Sequence, residues 1–142
     1  MIVALVLSAS VSGCGGGQSV TTQGSASLLV HDGSLLPRGG VDALIAGTLT
    51  VKNGCVGLAS PDAPDRVVAA IWPSGTELVD DDPLSVRLPS GALVAEGQTV
   101  KGTGGYSRPD SADVTLDLPE ECDLNADEIA VFNPDDNPSV VD

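Results

Sequence analysis

The sequence predicts an all-β domain, either a small closed or partly open barrel of OB-like kind or a sandwich. Apolar residues alternate with period two in several short stretches, and turn residues separate those stretches at roughly ten-residue spacing. The only helical candidate is a single turn within Leu124–Ile129, which Asn125 could cap. Thr48-Leu49-Thr50-Val51 alternates first, and Asn53-Gly54 follows it. That dipeptide is the strongest short hairpin signal, because the favoured two-residue turn needs φ > 0 at both central positions. Cys55-Val56-Gly57-Leu58 returns as the partner strand. Ser60 to Asp65 is rich in turn residues, and Arg66 to Trp72 is then apolar on both faces, as a central strand would be. Ser85-Val86-Arg87-Leu88 alternates and meets Pro89-Ser90-Gly91, which suits a type I turn closing a hairpin onto Ala92 to Val94. Thr99-Val100-Lys101, Asp113 to Leu118 and Glu128 to Phe132 complete the set.

Composition narrows the function classes. The 142 residues carry 20 acidic and 6 basic side chains, a formal net charge of −14. Binding to nucleic acid is not expected, because phosphate contacts are built from Lys and Arg. One Trp, one Tyr and one Phe cannot form an extended base-stacking platform. A lone His removes the commonest member of catalytic triads and metal sites.

The chain begins with the apolar run MIVALVLSASVS. This is too short for a transmembrane helix, which needs about 20 residues, but it suits the core of a signal peptide. The run ends in Val11-Ser12-Gly13-Cys14, which resembles the lipobox of bacterial lipoproteins. The resemblance implies cleavage before Cys14, transfer of a diacylglyceryl group to its thiol, and attachment to membrane lipid at the extracytoplasmic face of the cell membrane. Cys55 and Cys122 then remain as an even pair in an oxidising compartment, where a disulfide is expected. Gly15 to Ala26 (GGGQSVTTQGSA) has the composition of a flexible tether with a root-mean-square span of about 20 Å. A neutral spacer would hold an acidic domain away from anionic headgroups. The expected organisation is signal peptide over 1–13, lipidated cysteine and linker over 14–40, β domain over 41–133 and acidic tail over 134–142, with Ser27 to Gly40 a transition of edge strand and then loop. Gly47-Thr48-Leu49, Gly54-Cys55, Trp72 to Thr76 and Gly104-Gly105-Tyr106 are together similar to small actinobacterial envelope proteins of unassigned function.

Few residues stand out as chemistry. Gly102-Thr103-Gly104-Gly105-Tyr106 lacks the following helix that a phosphate loop requires and reads as a bulge or loop turn. Asp80, Asp81 and Asp82 could together contribute oxygens to a weak cation site, but they lack EF-hand spacing and read first as a solvated acidic loop. His31 reads as an ordinary surface residue. Trp72 ends the most apolar strand and is expected in the core. Exposed instead, it would form with Tyr106 and Arg108 a small amphipathic patch for an envelope protein or glycan partner. No cofactor is implied. The expected function is a membrane-anchored binding or scaffolding module. The alternatives are a small envelope enzyme working through paired carboxylates, or a cation-binding accessory module.

Overall fold

A computed structural model describes residues 20–21, 26–31, 43–107, 118–124 and 128–141. Five strands form a closed ring: β3 (Ala43–Lys52), β4 (Cys55–Ala59), β5 (Val67–Trp72), β9 (Thr99–Ser107) and β10 (Ile129–Phe132). Around the barrel they pair in the order β3, β4, β5, β10, β9 and back to β3. Every pairing is antiparallel except β5 with β10. This Greek-key connectivity is that of an OB-like barrel.

Local chemistry accounts for the first hairpin. Asn53 at φ 53° and Gly54 at φ 82° supply the two positive angles, and Lys52 pairs with Cys55 across the turn. β5 is buried on both faces along its whole length, because its inner side chains enter the barrel while its outer ones lie under another layer. Its position between β4 and β10 explains the uninterrupted apolar run.

Between β5 and β9 the chain forms a separate antiparallel sheet of β6 (Glu77–Asp81), β7 (Leu84–Arg87) and β8 (Leu93–Ala95). Pro89 and Ser90 form the expected turn, with Gly91 N donating to Leu88 O at 2.8 Å. Leu84, Val86, Leu88 and Val94 join the barrel core beside Trp72 and Phe132. The insertion leaves β5 at its C-terminal end and returns at the start of β9, so this small sheet plugs one end of the barrel. The opposite end is bounded by the ends of β4 and β9 and the starts of β3, β5 and β10.

The folded unit reaches further in both directions than the expected 41–133. β2 (Leu29–His31) pairs in parallel with Ile71 and Trp72 of β5, beyond the part of β5 that pairs with β4. Leu28 and Leu29 are fully buried, so 26–31 belongs to the core and not to the tether. β1 (Val20–Thr21) pairs with β2, again inside the expected linker. Within the expected acidic tail, β11 (Ser139–Val141) pairs with β9. Asp136 also binds the middle of β9, between its pairings with β10 and β11: its Oδ2 accepts from Thr103 N at 2.9 Å and its Oδ1 from Thr103 Oγ1 at 2.8 Å.

The glycine cluster is also a correction. Gly102 to Tyr106 lies within β9, not in a loop. A Cβ at Gly104 would collide with the Val131 carbonyl oxygen, and one at Gly102 with the Phe132 ring. These glycines admit the aromatic ring and the neighbouring backbone, which is a recognised use of Gly inside strands. The expected strand at 113–118 falls outside the described residues apart from Leu118. The candidate turn at 124–129 is not helical where described; a 3-10 turn occupies Glu120–Cys122 instead.

Candidate functional site at the open barrel mouth

The outer face of the barrel is covered where β4 and β5 run together. Leu29, Cys55, Ala69, Ile71 and Ile129 form a second apolar cluster beneath Leu118, Cys122 and Leu124. Cys55 and Cys122 are bonded, with Cα atoms 5.1 Å apart. The bond staples the 118–124 strap across the sheet. Ser27 Oγ adds a hydrogen bond to Glu121 Oε1 at 2.6 Å. That donor, with a smaller contribution from a backbone hydrogen bond, holds the Glu121 carboxyl below the usual 4.5 despite some opposing desolvation.

A depressed carboxyl contributes stability above its unfolded pKa and loses it as pH falls through the folded value. Ser27→Ala is therefore expected to raise the Glu121 pKa toward 4.5. Wild type and variant should differ most in stability above about pH 5 and converge in stronger acid. Carboxyl titration by NMR with parallel acid melts checks this, and an unmoved Glu121 titration would refute it.

Among the described residues, no element covers the barrel end opposite the plug. A cavity of about 210 Å³ there is lined by Leu58, Ser60, Arg66, Val68, Tyr106 and Glu128, with Ala46 and Ala59 beside them. Strand alternation explains the floor: Leu58 and Val68 point inward with the core residues Val56 and Ala70. The polar rim comes from strand ends. Arg66 Nη2 donates to Glu128 Oε2 at 3.0 Å, joining residues just before β5 and β10, the parallel pair. Tyr106 near the end of β9 is 44% exposed.

The sequence-predicted site residues are placed differently. Trp72 is fully buried and stacks on Phe132, with ring centroids 5.0 Å apart and planes 26° apart. It therefore forms no surface patch with Tyr106, because the plugged end of the barrel closes over it. Arg108 and Cys14 lie outside the described residues. Asp80 and Asp81 belong to exposed β6, and Asp82 follows in its turn, where its N–H donates to Asp80 Oδ1 at 3.3 Å. Among the described residues, no group of three or more His, Cys, Asp or Glu is arranged to hold a metal ion. The three aspartates thus do not assemble into a cation site: two follow an extended strand, whose successive side chains diverge.

His31 is 3% exposed and corrects the expectation of a surface residue. Its Nε2 lies 2.8 Å from the Phe132 carbonyl oxygen, which can only accept, so that nitrogen carries the proton. Burial follows from the place of β2 beside β5.

Arg66 and Glu128 were legible only as the first residues of expected strands, and the structure places each just before its strand. Parallel pairing of β5 with β10 brings them together across 62 positions, and local sequence carries no trace of that contact. Comparison with known proteins finds no matching family model, no similar curated protein and no similar solved structure.

Proposed function

We propose that this chain is a lipid-anchored envelope protein whose barrel serves as a binding or scaffolding module at the extracytoplasmic face of the cell membrane. The Cys55–Cys122 bond carries the reading. Such bonds persist in oxidising, extracytoplasmic compartments. It also accounts for two of the 3 cysteines and leaves Cys14, directly after Val11-Ser12-Gly13, as the acyl acceptor. The diacylglyceryl group supplies two chains, and stable anchoring needs more than one. Residues 15–19, which carry no charge, then serve as a spacer between an acidic domain and anionic headgroups.

The test is membrane fractionation after expression of the full chain in a bacterium with a lipoprotein-processing pathway. Wild type is expected in the membrane fraction with labelled fatty acid attached. Cys14→Ser is expected to be unlabelled and to leave the membrane fraction. Equal labelling or equal membrane retention of the two proteins would overturn the proposal.

A further inference from the structure

We propose that the open mouth of the barrel binds the ring of a neutral sugar. This deepens the binding reading by naming a ligand class, and it does not depend on the anchor. Three properties of the cavity select that class. The first is size. At about 210 Å³ the cavity lies below the range of roughly 300–1,000 Å³ typical of pockets for drug-sized molecules, so it suits one ring and not an extended chain.

The second property is the division between floor and rim. Leu58 and Val68 provide an apolar floor, while Ser60, Arg66, Tyr106 and Glu128 contribute polar groups around it. A pyranose has the matching character, with apolar C–H faces and hydroxyls around its edge. The half-exposed Tyr106 ring offers a flat apolar surface with a hydroxyl at its tip. Arg66 carries five N–H donors and Glu128 two acceptor oxygens, and their mutual bond uses one of each. Adjacent sugar hydroxyls both donate and accept, so they can engage this pair without separating it.

The third property is charge. Arg66 and Glu128 cancel each other at the rim of a chain whose net charge is −14. An anionic ligand would compete with Glu128 for Arg66 against that overall field. A cationic ligand would compete with Arg66 for Glu128. A neutral polyhydroxylated ring faces neither conflict.

The test is an NMR titration of the full chain with methyl glucoside, methyl mannoside and methyl galactoside, with glucuronic acid as the anionic comparison. Backbone shifts confined to Leu58–Ser60, Arg66–Val68, Tyr106 and Glu128 are expected with at least one neutral glycoside. Tyr106→Ala is expected to weaken that binding at least tenfold. The exposed position of Tyr106 lets this variant fold, which the unchanged remainder of its spectrum will report. Glu128→Gln keeps the shape of the side chain, and it is expected to weaken binding without moving the wild-type spectrum elsewhere. No response to any neutral glycoside, a stronger response to glucuronic acid, or a response unaffected by Tyr106→Ala would overturn the proposal. The anchor stands or falls separately, on fractionation of the Cys14→Ser variant.

Discussion

Removing the Cys55–Cys122 cross-link is expected to destabilise the folded chain by about 4 kcal/mol. The two residues are 67 positions apart, so the bond excludes many expanded conformations from the unfolded ensemble. The native state loses something as well. The bond clamps the 118–124 strap over Ala69 and Ile71, and the strap otherwise contributes only Leu118 and Leu124 to that cluster. For a domain of this size the loss corresponds to a fall in Tm of at least about 15 °C. Cys55→Ala/Cys122→Ala is the preferred variant, because both sulfurs are buried and a lone thiol would add chemistry of its own. Thermal melts of the variant against wild type provide the measurement. Indistinguishable melting temperatures would show that the strap is held by its apolar contacts alone.

What could be read in advance was the chemistry that acts over a few residues. Asn53-Gly54 and Pro89-Ser90-Gly91 specify their turns through backbone angles, so both hairpins were legible. The apolar run of β5 correctly indicated a strand covered on both faces. What could not be read was set by partners far along the chain. Gly102 and Gly104 look like strand breakers until Phe132 and Val131 are placed against them. Ser27 to Gly40 read as a transition out of the tether, an edge strand and then loop, because nothing local indicates that Leu29 to His31 is a buried strand paired in parallel with β5. Asp80 and Asp81 suggested a loop because acidic residues are poor strand formers, yet pairing with β7 holds them extended. The candidate site shows the same division. Tyr106 was legible as a residue suited to a contact surface, whereas the mouth around it exists only where five barrel strands begin or end together.

Phe132→Ala is expected to destabilise the chain by about 3–5 kcal/mol, the usual loss for a buried aromatic truncated in a packed core. Phe132 is fully buried, stacks on Trp72 and occupies space that Gly102 leaves vacant. Its backbone carbonyl, which accepts from His31 Nε2, survives the substitution, so the loss reports packing and not hydrogen bonding. Gly102→Ala alone should also destabilise, since its new Cβ meets the Phe132 ring and Asp136 Oδ2. Combined, the two changes are expected to cost less than their sum, because removing the ring makes room for the methyl group. Denaturant unfolding followed by Trp72 fluorescence measures all three variants. The native emission should be blue-shifted and protected from quenchers, as suits a fully buried indole. Strict additivity would mean that Gly102 and Phe132 do not share the space. A loss below about 1 kcal/mol for Phe132→Ala would mean that the stack contributes little to closing this end of the barrel.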